Sequence, residues 1–488
     1  MVVMTKQANN RRREERFDVI VIGTGFAGLA AAIEAKLAGA SVVVLEKMKA
    51  AGGNSIISDG GIAVAASQEQ AEQHITDSKE QFYQDMMRAG LLLNQPSLVR
   101  ALAEQANHAF EWTKSYLGVP YLNKIEIFGG HSVPRCFTAE GITGATIIKK
   151  MLEKAKTLEI PIRYQHKFLE FVRDDSGVID AVRVLKGYDY THPEAGNESL
   201  MFADRGVVLA TGGFGADVAF RQAQDPRLDA SIDTTNKPFA TAEAMQKVFQ
   251  IGALPVDLSF IQLGPWASPD ERGYGVGPYF SEYVVFQYGI VVDPATGERF
   301  CSELADRKTL SDAMLKIGHP CIGIADRAGV EQSGWSIEKC LKKGVVKAFD
   351  SIESLAEEHN IPKEFLKHTV ERFNQDIQDG KDTIFNKPIL KNAPKIQTAP
   401  FYAIRLWPKV HFTMGGVGIN ARAEVLDLNG NPIPKLYAAG EVTGGVHGAS
   451  RLGSCSITDC MVFGRTAGIN AAKLYVRISE NEQDQSTI

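Results

Sequence analysis

Metal-binding and disulfide patterns are missing from this sequence. Its six cysteines, at positions 136, 301, 321, 340, 455 and 460, are scattered over 488 residues with no CxxC and no CxxCH. That excludes a cysteine metal knot, an attached c-type haem and, at this size, a disulfide scaffold. Cys455 and Cys460, five apart, read as small buried side chains of a helix. Outside the glycine-broken first unit there is no run of about 18 apolar residues, so no membrane span is expected. An excess of positive charge is lacking too: the net charge is −5, the opposite of a nucleic-acid binder's basic footprint. Neither an internal repeat nor a low-complexity block occurs. The 44% hydrophobic and 23% charged content is that of an ordinary globular protein, and the length allows about two to four domains with ample core.

What the chain does have begins at Phe17. FDVIVIGTGFAGLAAAIEAKLAGASVVVLEK reads as an apolar strand, a Gly23-Thr24-Gly25-Phe26-Ala27-Gly28 turn, a helix and a second strand ending at Glu46. This is a dinucleotide-binding fingerprint in full context, with an acid about 20 residues past the turn. Gly23 permits the tight turn, Gly25 lets backbone approach a pyrophosphate, and Gly28 lets helix and strand pack closely. The helix N-terminus offers unpaired N–H groups to phosphate. Glu46 is placed to accept from a ribose 2′-hydroxyl and would repel a 2′-phosphate, which favours FAD or NAD over NADP.

Further along, Gly52-Gly53-Asn54-Ser55 and Ser58-Asp59-Gly60-Gly61 form a polar glycine-rich loop, and residues 68–117 read as helices. Another helix opens at Gly144. Strand-like segments follow (PIRYQHKFLEFVRD, GVIDAVRVL, RGVVLAT), the last running into Ala210-Thr211-Gly212-Gly213-Phe214-Gly215. From about residue 250 to 400 the pattern changes to short strands, turns and separated helices, and strand–turn–helix resumes in PKLYAAGEVTGG. Glycine-rich strand ends near residues 23, 211 and 440 exceed what one NAD site needs. They suit FAD, whose isoalloxazine must be held as rigidly as its pyrophosphate. The fold class expected is α/β: a Rossmann-like FAD-binding domain from residues 17–248 and 406–488, with an α+β capping domain inserted at 249–405. GERF, at Gly297 to Phe300, reads as a β-turn. Residues 1–16 are polar and basic, with Arg11-Arg12-Arg13, but the next apolar segment is already the first strand. A disordered lead and a cytoplasmic chain are expected; a periplasmic one follows if a leader was removed or a partner exports it.

The fingerprint, GGN…SDGG, ATGGFG, GERF…DRK, HFTMGG and AAGEVTGGVHGASRLGS together resemble the flavoprotein of the soluble fumarate reductase family, over residues 17 to 475. That family includes the flavin part of flavocytochrome c and reductases of acrylate, methacrylate, urocanate and cinnamate. The resemblance implies an active site where the cap meets the flavin. It implies FAD contacts at Gly53, Asn54, Ser55, Gly60, Gly61, Thr211, Gly212, Gly440, Glu441, Arg451, Ser456 and Ile457, besides the fingerprint residues. Asn54 stands where membrane-bound relatives carry a flavin-bonded histidine, so the FAD is expected to be non-covalent. Ser456-Ile457 opens the last long helix, whose positive end would stabilise a reduced anionic flavin.

Reduction of a C=C bond next to a carboxylate needs cations to drain charge from the α-carbon and an acid on the face opposite the flavin. By resemblance, His411 (VHFTMGG) and Arg451 (GASRLGS) grip the carboxylate, and Arg307 (LADRKTL) delivers the proton. Glu282 (FSEYVVF) returns a proton to Arg307, but the next relay position, an Arg in the family, is Val285 here. The onward path is open, through Tyr283, Asp306 or water. Gly416 and Ser281 are implied substrate contacts, Ser281 standing where fumarate-specific members carry a Thr. The stretch IQLGPWASPDERGYGVGPYFSEY has no His for a second carboxylate, and its Trp266, Tyr274, Tyr279 and Phe280 suit an apolar or aromatic tail. A monocarboxylate 2-enoate is therefore favoured, with fumarate kept open. Lacking haem, the chain needs an external electron donor, a cytochrome or a reduced flavin carrier. Three other readings stay open: a 3-ketosteroid dehydrogenase, an aspartate oxidase, and an electron-transfer flavoprotein with no substrate.

Overall fold

Residues 15–473 are described by the computed structural model; positions 1–14 of the basic lead and the tail from 474 lie outside the described residues. Glu15 and Arg16, expected to close the lead, instead open strand β1 (Glu15–Ile22). Arg16 pairs there with Asp204 on the neighbouring strand and lies over the Phe202 ring, so these contacts carry the strand two residues further back.

From β1 the chain enters helix α1 (Phe26–Leu37) and strand β2 (Val42–Leu45). Strands β3 (Asn197–Leu209) and β4 (Pro432–Ala438) complete a parallel centre in the order β4-β3-β1-β2. Val21 lies level with Val44 on one side and Val208 on the other, and Val208 with Tyr437. Val19–Ile22 and Val42–Leu45 are wholly buried, as strands covered on both faces must be, which is why they read as unbroken apolar runs. The ends of β1, β3 and β4 therefore sit side by side, and their three glycine turns gather at one edge of the sheet. Gly23 shows how tightly: its φ is +112°, and a Cβ there would lie 2.2 Å from the carbonyl oxygen of Ala210, at the end of β3. Of the strand-like segments, residues 166–173 and 179–186 form an antiparallel hairpin that pairs with β3.

Between β3 and β4 lies a four-stranded antiparallel sheet, in the order 290–292, 321–326, 401–406, 346–349, with helices around it. It has its own apolar core of Trp266, Phe280, Val285, Met314 and their neighbours, the α+β insertion that the pattern change announced. Residues 255–256 and 261–264 pair with 416–417 and 409–413. Helix α2 (Arg307–Ile317) begins at the Asp306 cap, whose carboxylate accepts the N–H groups of Lys308 and Thr309, a cap worth about 1 kcal/mol. The turn expected at GERF lies slightly earlier, at Asp293–Gly297. Arg299 is instead buried against Glu303 and Asp382, with Lys387 3.3 Å from Glu303.

The last helix, α3 (Cys455–Ala471), crosses α1 along small residues. A Cβ on Gly468 would stand 2.2 Å from the carbonyl oxygen of Ala31, so only glycine allows this approach. Gly464 lies against Ala27 and Gly468 against Ala31, so the first turn of α3 runs on past the start of α1 to Gly61–Ala63, where the Thr458 hydroxyl donates to the Ala63 carbonyl. Cys455 is buried and Cys460 half-buried, and all six cysteines are free. Among the described residues no helix is long and apolar enough to cross a membrane, and no cluster of side chains has metal-ligand geometry.

Candidate active site

A cleft runs along the turn edge of the main sheet and under the inserted unit, with about 1630 Å³ of empty space, its open mouth included. On the β2 side, α1 starts at Gly25 without a side-chain cap of its own. Ser55 supplies one from another segment, its Oγ accepting the Phe26 N–H at 3.1 Å. Glu46 accepts the Thr24 hydroxyl and, at 2.9 Å, the Met48 N–H. Thr24 in turn accepts the Gly52 N–H, tying the second glycine loop to the first. Asn54 bonds across the cleft wall, its Oδ1 accepting the Lys237 N–H at 2.9 Å and its amide donating to Asn236.

At the other end α3 starts at Ser454, which is left-handed (φ 62°) and gives no side-chain cap. The Ser454 Oγ is buried without a partner. Ser456 and Ile457, on the first turn, line the cleft, as do Gly53, Gly61, Thr211, Gly212 and Gly440. Two helix starts open on one cavity, α1 capped only by Ser55 from another segment and α3 uncapped, with an acid at β2 and an orphaned hydroxyl at α3. That donor set fits a long dinucleotide with an anionic middle. Gly28, Gly60 and Gly416 are not on the cleft wall; Gly416 backs onto the Val442 carbonyl.

Arg307, His411 and Arg451 meet at the α3 end. The Arg307 Nη2 donates to Glu282 Oε1 at 2.8 Å, and its Nη1 is buried with no partner. Burial pulls the Arg307 guanidinium down, but Glu282 outweighs it and holds Arg307 above its ordinary value. Glu282 is raised by burial, with Arg307 offsetting only part. Glu282 is thus the member of the pair able to exchange its proton. Arg451 donates one Nη1 bond to the Leu452 carbonyl and lies over the Phe412 ring at 4.5 Å. Its Nε has no partner, so the Nε–Nη2 fork is free for a carboxylate, the geometry that guanidinium matches best. Burial and the nearby Arg307 charge bring Arg451 down to about 10, still a cation at neutral pH.

His411 is held well below its ordinary value, first by burial and then by the two arginines. It is therefore neutral. Its Nδ1 meets the Thr235 hydroxyl at 2.8 Å, and Trp266 packs edge-on to its ring at 4.6 Å between centroids. The Thr235 hydroxyl also reaches the Val410 carbonyl at 3.4 Å; when it donates to Nδ1 instead, the ring proton sits on Nε2, the nitrogen left for a ligand. Glu441 accepts the Thr413 N–H at 3.0 Å and is pushed up to about 7 by burial.

Of the expected aromatic wall, Trp266 and Tyr274 line the cleft, whereas Phe280 is packed in the cap core. Ser281 faces away: it is fully buried and its hydroxyl donates to the Gly277 carbonyl at 3.0 Å. Glu282 also stands off the cleft, behind Arg307. Sequence reasoning passed over Thr24, Thr235 and Asn236, which hold Glu46, His411 and Asn54. Thr235 and Asn236 sit in a loop with no motif, and only the fold brings them to His411. Asp59 was visible in SDGG but given no role. It lines the cleft, and its charge helps to hold Arg307 up.

The family profile described as FAD binding domain matches residues 18–457. The acrylate reductase flavoprotein subunit of Shewanella woodyi is 41% identical over 476 residues, covering 96% of this chain and 93% of that protein. A fumarate reductase (cytochrome) of Shewanella frigidimarina is 35% identical over 93% of this chain and 77% of its own length. Among solved structures, the open conformation of a flavocytochrome c3 fumarate reductase superposes with a TM-score of 0.74 at 33% identity, covering 97% of this chain and 81% of that one.

Proposed function

The chain belongs to the FAD binding domain family, as an FAD-dependent oxidoreductase acting on CH–CH bonds, and we propose that it reduces the C=C bond of an α,β-unsaturated monocarboxylate. The observation that carries this reading is the cluster of carboxylate donors at one end of the cleft. Arg307, His411 and Arg451 converge on one end of the cleft, while Ser281, which would help to hold a second carboxylate, is turned into its own helix. Trp266 and Tyr274, packed against His411 and Arg307, make the wall beside these donors aromatic, and Asp59 adds negative charge to the same chamber. The 41% identity to a protein named for acrylate supports the same class.

FAD would be held non-covalently by Glu46, the Ser55-capped start of α1, the uncapped start of α3 and the glycine turns, and would supply hydride to the β-carbon. The other work falls to the side chains. Arg451 takes the substrate carboxylate on its free fork, and neutral His411 donates Nε2–H to it. Both withdraw charge as the α-carbon becomes carbanion-like. Arg307, opposite, gives an N–H proton to that carbon. Guanidinium is an unusual acid, but an α-carbanion is basic enough to take its proton, and Glu282 at 2.8 Å restores it. Electrons come from a separate carrier, since the sequence contains no CxxCH haem site.

The test is anaerobic. Reduced protein is mixed separately with acrylate, methacrylate, cinnamate, urocanate and fumarate, and the flavin absorbance is followed. Fast reoxidation by a monocarboxylate, with fumarate slow, supports the reading. Preference for fumarate overturns the monocarboxylate part, and reoxidation by none of them overturns the whole.

A further inference from the structure

Behind Arg307 lies a second, smaller void with about 310 Å³ of empty space, its open mouth included, room enough for water. Arg307 and Trp266 line both cavities, whereas Glu282 lines only the smaller. The guanidinium is therefore a partition, with the substrate chamber on one face and the Glu282 carboxylate and the void on the other. The void's far wall is the seam between Phe128–Gly129 of the FAD-binding part and Leu304–Ala305 of the cap. That seam is tight: a Cβ on Gly129 would lie 2.3 Å from the Ala305 carbonyl oxygen.

Each turnover removes one proton from the Arg307–Glu282 pair, and the pair is buried. Among the described residues no side chain continues the relay. Val285, one turn on, is fully buried and apolar. Gln287 donates to the Glu282 backbone carbonyl at 3.4 Å, not to its carboxylate. The Tyr283 hydroxyl is buried without a partner, and its ring stands edge-on to Phe128. Glu303 borders the void, but its carboxylate is committed to Arg299, Lys387 and the Val291 N–H.

Resting on the enoate-reductase reading, we propose that water in this void is the proton inlet of the enzyme, passing protons from the Phe128–Gly129/Leu304–Ala305 seam to Glu282. The proton balance closes without a redox partner. Arg307 loses an N–H proton to the α-carbon, the Glu282 carboxyl protonates Arg307, and hydronium in the void protonates Glu282. Burial raises Glu282, which favours its protonated form.

Leu310 and Phe286 line the void without touching the substrate chamber. Leu310→Phe and, as a second plug, Phe286→Trp fill it; Leu310→Ala enlarges it. Reduced enzyme is mixed with the best enoate in a stopped-flow instrument, in H2O and in D2O, after FAD content and propionate affinity are shown to match wild type. Either plug is expected to slow reoxidation at least about tenfold, within the range of general-acid effects, and to enlarge the solvent isotope effect. Leu310→Ala should keep the rate. Without turnover, and with propionate filling the main chamber, hydrogen–deuterium exchange of the Trp266 indole N–H should slow in the plugged variants. Plugged, FAD-loaded enzymes with wild-type rates and isotope effects overturn the inlet alone. A wild-type enzyme that no enoate reoxidises overturns the reading beneath it.

Discussion

Replacing Glu282 by Gln separates proton supply from every other task of the site. Gln keeps the size and an oxygen for the Arg307 Nη2, so the 2.8 Å bond persists in neutral form while the exchangeable proton is gone. Deleting one partner of a buried ion pair costs about 3–5 kcal/mol. An isosteric amide forfeits only the charge-assisted part, about 1–3 kcal/mol, and the variant should fold. Glu282 is off the substrate chamber, so binding of propionate, read from the flavin spectrum, should change less than about threefold, around 0.7 kcal/mol. Reduction by dithionite should be unaffected. Reoxidation by an enoate should fall by about 10²–10⁴, which is about 2.7–5.5 kcal/mol of barrier. The sign of the pH effect follows from burial. Glu282 is raised, its protonated form is the donor, and so the wild-type rate should decline as pH rises through that raised value. Glu282→Gln should lose this limb. A variant that reoxidises within about threefold of wild type and keeps the limb would refute the relay.

Arg451→Gln removes the free Nε–Nη2 fork; at about 1.5–3 kcal/mol for a charge-assisted bond, carboxylate affinity should drop about 10- to 100-fold by spectral titration, with Arg451→Lys recovering only part. Thr235→Val removes the group at His411 Nδ1 and should raise the substrate KM about fivefold, the worth of about 1 kcal/mol, with kcat less affected; Thr235→Ser should restore it, and equal KM values in all three would end that assignment. Glu441 carries a folded value of about 7 against 4.5 for the free group. Its stabilising contribution is complete below 4.5 and is lost as pH rises through 7, by about 3 kcal/mol in all. Denaturant melts of the FAD-free chain at pH 5 and 8 should show this slope, and Glu441→Gln should flatten it.

How much of this could be read beforehand differs from one residue to the next. Gly23, Gly25, Glu46 and the turns at Thr211-Gly212 and Gly440 were legible because each sits in a local strand–turn–helix pattern. Local geometry fixes their direction whatever the rest of the chain does. Arg307, His411 and Arg451 were legible only as separate motifs, and the structure is what gathers them at one end of one cleft. Ser281 was expected at the substrate and is turned inward, because its helical segment uses that hydroxyl to bond a carbonyl four residues back. Thr235 and Asn236 carry no motif at all.

By itself the sequence determined a parallel sheet whose turn edge has the glycines and helix starts that a dinucleotide needs: strand burial, turn glycines and helix starts are short-range properties, written within a few residues. Which groups share a surface was decided by tertiary packing alone. The approach of α1 and α3 through Gly468 and the cap set over the sheet place Arg307 between two cavities. Contacts between residues hundreds of positions apart depend on how whole layers are stacked, and no local pattern records that stacking.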